Sequence, residues 1–145
     1  ALVHAIGTMA PKGGSDPWIR KYIFPGGYLP TLSETIAAAE RSGMWVTDVE
    51  VLRLHYAETL RHWSERFASE RQTARRLYDE RFCRMWEFYL AVCEMAFRNG
   101  RLMVFQIQLA KRRDTVPLTR DYIAETDAGQ IAENVLSNTN TGRAS

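Results

Sequence analysis

Cysteine is scarce in this chain. Only Cys83 and Cys93 occur among its 145 residues, and ten residues of one helical pattern set them about 15 Å apart, beyond disulfide reach. They read as buried free thiols, which excludes a disulfide scaffold and fits a reducing cytoplasm. Long apolar runs are missing too. No stretch reaches the roughly 20 residues that span a bilayer, and no signal or transit pattern is visible, so any lipid contact is expected to be peripheral. Excess charge of one sign is also lacking: 19 Lys and Arg against 17 Asp and Glu leave +2. That balance argues against nucleic acid as a partner, which would call for a marked basic face. Neither "PKGGS" nor "FPGG" follows a strand and opens a helix as a nucleotide-binding loop must, and no internal repeat occurs.

What is present is apolar and aromatic. Hydrophobic residues make up 46%, with four Trp, six Tyr and six Phe, enough for one core. Residues 1–6 read as a buried strand that arrives without neighbours, "PKGGSDP" as a loop, and "PWIRKYIF" as a short helix stopped by "PGG". Thr31 and Glu34 form a capping box for a helix that Gly43 closes, and residues 44–51 read as a second strand. From Leu54 to Arg98 two apolar stripes, Tyr56/Leu60/Trp63/Phe67 and Tyr78/Phe82/Met85/Tyr89/Val92/Ala96, predict a long helical hairpin broken at Ser69–Thr73. "RLMVFQIQLAKR" predicts a third strand. The order is that of the last part of a doubly wound α/β sheet. Residues 124–145 turn small and polar and read as a frayed tail.

The strings "HAIG", "DPWIRKYIFPGGYLP", "HYAETLRHW", "ERF", "RMWEFYL", "FRNGRLMVFQIQLAK" and "PLTRDY", in that order over Leu2 to Ile123, resemble the C-terminal part of the cyclopropane-fatty-acyl-phospholipid synthase family. The resemblance implies a Rossmann-like, seven-stranded methyltransferase fold, with residues 1–123 contributing its last three strands, the final one inserted antiparallel beside its neighbours. It implies S-adenosylmethionine as methyl donor, phospholipid acyl chains at the membrane surface as acceptor, and a cytoplasmic protein peripheral to the inner membrane face. The methyl goes to a cis double bond, leaving a carbocation; a base then takes a proton from the new methyl group and the ring closes. An alkene is a poor nucleophile, so positioning must supply much of the catalysis.

By the same resemblance that base is bicarbonate, and its ligands carry over as His4, the backbone amide of Ile6, and the Tyr56 hydroxyl. All three can donate hydrogen bonds to an oxyanion. The family's cofactor loop, and a Cys and a Glu completing its anion site, belong to a region upstream of Ala1, so residues 1–145 alone are not expected to bind S-adenosylmethionine or to catalyse. Cys83 and Cys93 lie in the wrong segment to replace that Cys.

Simpler readings stand beside these. His4 could be a satisfied core histidine, and Tyr56 a packing residue with its hydroxyl paired. His55 and His62, seven apart, do not form an i, i+4 metal pair, and no metal is assigned. The arginines of the hairpin are expected to self-pair at i, i+4, as Arg61–Glu65, Arg66–Glu70 and Arg76–Glu80. Trp18, Tyr22, Phe24 and Tyr28 either pack their loop or line the mouth of an acyl-chain site. An open sheet edge predicts a homo-oligomer or strand-exchanged dimer. The alternatives are a methyltransferase of the same family with another acceptor, and a non-enzymatic membrane-surface module.

Overall fold

The structure, a computed structural model, describes residues 1–9 and 16–126; the "PKGGS" loop and most of the expected tail lie outside them. Chain contacts divide the protein into residues 1–111 and 112–145. The first unit holds strand β1 (Leu2–Thr8), helices α1 (Pro17–Tyr22) and α2 (Leu32–Arg41), strand β2 (Trp45–Val51), helices α3 (His55–Ser69), α4 (Arg71–Leu77) and α5 (Glu80–Arg98), and strand β3 (Leu102–Ala110). In the second, residues 121–126 are helical and Arg112 pairs with Asp114 at 2.6 Å.

The helix boundaries follow local chemistry. Asp16 caps α1, accepting from the Trp18 amide at 2.8 Å, and Pro17 sits in the first turn, where its missing N–H costs nothing. Thr31 and Glu34 close the expected capping box on α2. Gly43 leaves that helix at φ 77°, a left-handed turn that favours glycine. The hairpin departs from expectation at a second break. α3 ends at Glu70 as anticipated, but Tyr78 and Asp79 are also non-helical, because the Asp79 carboxylate accepts from the Phe82 amide at 2.6 Å and starts a new helix there. Tyr78 therefore leaves the stripe and stacks on Phe82, with ring centres 4.3 Å apart.

Among the described residues the sheet runs β1-β3-β2, with β3 central and antiparallel to both neighbours. Side chains alternate across it. Met103, Phe105 and Ile107 face α2 together with Val3, Ala5 and Val49, packing on Leu32 and Ile36. Val104 and Leu102 face the hairpin, where Ala57 and Leu60 of α3 meet Tyr89, Leu90 and Phe97 of α5. The hairpin covers only part of its face. Beyond it the sheet is polar, with Gln106 against His4 and Thr47 donating to Gln108 at 2.8 Å.

Two expectations are corrected here. His4 was placed in a buried strand, but β1 is an edge strand whose first half lies outside helical cover, and the His4 side chain is exposed, with Nδ1 3.2 Å from Gln106 Nε2. The arginine pairing is also different. Arg61 does bond Glu65, but Glu80 is taken by Arg71 at 2.6 Å and Arg75 at 3.4 Å rather than by Arg76, because the break at Tyr78 removes the i, i+4 relation. Arg71 also holds Glu87 at 2.6 Å, tying α4 to α5.

Gly7 marks the tightest approach in the sheet. A Cβ there would lie 2.4 Å from the Phe105 ring and 2.8 Å from the Pro30 carbonyl oxygen. Gly7→Ala is expected to cost about 1–3 kcal/mol by overpacking, and adding Phe105→Leu should recover part of it. Urea denaturation of both variants checks this; a Gly7→Ala midpoint equal to wild type would remove the constraint.

Candidate active site

The C-terminal end of β1 and the start of β3 open onto a cavity of about 700 Å³, roofed by α1, residues 24–29, and the facing ends of α3 and α5. Its wall is apolar, formed by Ile6, Ile19, Phe24, Leu29, Val92 and Phe97 among others. Ala96 is among the small residues of the wall, and Gly100, where a Cβ would lie 2.4 Å from the Ala96 carbonyl oxygen, borders it. The Asp16 carboxylate at its rim is already engaged in capping α1. A volume and lining of this kind suit a small apolar ligand.

Besides Arg101 and Tyr28, whose hydroxyl donates to Glu34 at 2.8 Å, three weakly acidic groups on the helices interrupt that wall: Tyr56 on α3, with Tyr89 and Cys93 on α5. Burial raises the Tyr56 pKa, with a further contribution from Cys93. Tyr89 is pushed up to about 12, chiefly by burial and then by Cys93 and Tyr56. Burial likewise raises the Cys93 thiol, against an opposing hydrogen bond from Tyr89. All three thus stay protonated near neutrality, and both phenols remain donors. Tyr56 is held by an edge contact with Trp63 and a tilted one with Phe97, centres 6.0 and 5.0 Å away.

The backbone of Ile6 adds a further donor. Ala1 and Leu109 exchange both backbone hydrogen bonds, at 2.7 and 2.8 Å. In an antiparallel ladder such pairs alternate, so Ala5 and Gly7 bond β3 while His4, Ile6 and Thr8 turn their N–H groups outward. Thr8 shows this directly by donating to the Pro30 carbonyl at 3.0 Å. Of the three residues singled out in the sequence, Ile6 and Tyr56 share the cavity, whereas His4 lies two residues along the same face and outside its lining. Tyr89 and Cys93 were not singled out. Their signal was a tyrosine and a cysteine four apart on the apolar stripe, with small Ala96 one turn on, a pattern that core packing alone would also satisfy.

A three-stranded mixed α/β unit with its last strand inserted antiparallel and an apolar cavity at the strand ends belongs to the α/β methyltransferase class. The mycolic acid cyclopropane synthase CmaA1, complexed with SAH and CTAB, superposes with a TM-score of 0.68 at 31% identity, over 74% of this chain and 42% of that one. The cyclopropane synthase MmaA2 of Mycobacterium tuberculosis gives 0.69 at 28%, over 76% and 43%. The chain belongs to the mycolic acid cyclopropane synthetase family, whose model matches residues 1–107. Among curated relatives, tuberculostearic acid methyltransferase UfaA1 of M. tuberculosis is 49% identical over 67% of this chain and 23% of its own length. A probable fatty acid methyltransferase of Pseudomonas putida is 44% identical over 74% and 27%, and the Escherichia coli K12 cyclopropane-fatty-acyl-phospholipid synthase 36% over 76% and 28%. The chain thus spans about a quarter of the length of the curated relatives it matches.

S-adenosylmethionine does not fit the described residues. The cavity wall offers no glycine-rich turn between strand and helix and no carboxylate free to hold a ribose. The Ile6 amide, turned away from β3, and the Tyr56 hydroxyl are hydrogen-bond donors on residues that line the cavity.

Proposed function

We propose that this chain supplies the acyl-chain pocket of an S-adenosylmethionine-dependent enzyme that adds a one-carbon unit to the double bond of a phospholipid acyl chain, with bicarbonate as base. The observation that carries this reading is the apolar cavity with phenol donors in its wall. A hydrocarbon chain needs a dry, greasy wall, and an alkene needs few polar neighbours until charge develops. S-adenosylmethionine supplies the methyl group when bound, and no described residue is assigned to it. Tyr56 and the Ile6 amide hold the bicarbonate, His4 approaching from the strand edge through its second ring nitrogen.

A second reading concerns the product. The relatives at 49% and 44% identity are named a tuberculostearic acid methyltransferase and a probable fatty acid methyltransferase, and the one at 36% a cyclopropane-fatty-acyl-phospholipid synthase, which favours a methylated chain over a ring. Both readings share the cavity. The test incubates the protein as encoded with unsaturated phospholipid vesicles and S-adenosylmethionine. The acyl chain is expected to gain one carbon by mass spectrometry, and proton NMR then separates a cyclopropane ring from an open product. Ala96→Trp, which fills the cavity, should abolish the gain. Acyl chains unchanged in mass with wild type would overturn the proposal, as would full conversion with the filled cavity.

A further inference from the structure

Behind the cavity, the outer side of α1 meets the first half of α5. Arg81, Arg84, Met85 and Phe88 recur at helical spacing along one stripe of α5, and with Trp18 and Tyr22 of α1 they line a shallow groove of about 390 Å³. The Trp18 ring packs edge-on against Phe88 at 4.7 Å, so the groove has a rigid aromatic floor. Large apolar groups stay in water here: Phe88 is 50% exposed and Tyr22 43%. Exposed aromatic rings this close together mark a surface that meets something less polar than water.

The charged residues that line it, Arg81 and Arg84, are both cations. Arg20 and Lys21 occupy the last turn of α1, and Lys21 lies 5.1 Å over the Tyr22 ring. Among the described residues no carboxylate lies within ion-pair distance of Arg20, Lys21 or Arg81, and Arg84 reaches only Glu80, at 3.9 Å. The neighbouring acids are engaged elsewhere: Glu80 and Glu87 by Arg71, Asp16 and Asp79 by the helix amides they cap. Arg81 and Arg84 thus stand beside exposed aromatic rings in the groove, and Lys21 lies over one of them. That combination suits an anionic bilayer, whose phosphates meet the cations while the rings sit at headgroup depth.

We infer that the groove between α1 and α5, with Lys21, Arg81 and Arg84, docks the protein on the surface of an anionic phospholipid bilayer, so that α1 stands between the headgroups and the acyl-chain cavity. This rests on the cavity being an acyl-chain site. α1 joins the two places physically, turning Trp18 and Tyr22 to the groove and Ile19 to the cavity, with Phe24 just beyond its end. A lipid lifted slightly from the leaflet would leave its headgroup among the cations and pass its chain beneath α1.

The test is sedimentation with phosphatidylcholine vesicles, with and without phosphatidylglycerol, alongside displacement of a fluorescent fatty acid from the cavity. Wild type should bind the phosphatidylglycerol vesicles and release as salt shortens the range of the charges. Arg81→Gln and Arg84→Gln, both exposed and outside the core, should each weaken vesicle binding about fivefold, the effect of one basic residue at an anionic surface, and leave fatty-acid binding unchanged. Ala96→Trp should do the reverse, losing the fatty acid and keeping the vesicles, so failure of the cavity reading shows separately. Equal binding to both vesicle types, or arginine variants that sediment like wild type, would overturn the docking surface. So would capture of an acidic protein bearing the acyl chain, weakened by the arginine changes, without binding to vesicles.

Discussion

Replacing Phe105 by alanine is expected to destabilise the protein by about 3–5 kcal/mol, against a total of roughly 5–15 kcal/mol for a domain. Phe105 is fully buried at the centre of β3, on the sheet face that packs under α2. Its ring lies against Gly7 of the neighbouring strand, so deletion empties space between two strands and a helix. Strands tied by backbone hydrogen bonds cannot close over such a void, and the loss includes the cavity as well as the transfer of the ring. Urea denaturation should show a lower midpoint with an unchanged slope, because the surface exposed on unfolding is nearly the same. A change below about 1 kcal/mol would mean that α2 relaxes onto the sheet and that the packing is looser than its burial implies.

Tyr56→Phe is expected to leave folding nearly intact and to lower turnover about 10- to 100-fold, the loss of one hydrogen bond to a charged group at the transition state. The ring keeps its contacts with Trp63 and Phe97, so packing survives and only the donor is lost. Rate against added bicarbonate, measured on the protein as encoded, should show a weakened apparent affinity for the ion. Normal bicarbonate dependence at full activity would return Tyr56 to a packing role. The hydroxyl titrates above its ordinary value because burial disfavours phenolate. The donor therefore persists through neutral pH, and any loss of rate near pH 7 has to come from another group. The sign for stability follows from Tyr89, raised to about 12. Its contribution is complete below the free phenol value near 10 and falls away as pH rises from there through about 12, because the unfolded chain releases its proton first.

Local signals in the sequence were strong where one or two residues decide a boundary. The Thr31–Glu34 box, Pro17 in the first turn and Gly43 after α2 act through their own backbone, and each is found where the spacing placed it. The three strands and the apolar stripe of α5 were legible for a related reason: burial on one face imposes a period that survives in the sequence. Tyr56 could be named from its motif, and Ile6 from "HAIG". Which atoms meet was another matter. The outward turn of the Ile6 amide depends on which β1–β3 pairs exchange hydrogen bonds, a register that no single strand encodes. The exposure of His4 follows from how much of the sheet the hairpin covers, which is set by the packing of α3 on α5. Tyr89 and Cys93 looked like ordinary core positions, since a helix stripe has the same pattern whether it meets a neighbour or the wall of a cavity. The cavity forms where the end of α5, with its small Ala96, meets α1 and residues 24–29, segments some seventy residues away in the chain. Such coincidences arise only when distant segments pack, so periodicity and motif spacing carry no trace of them.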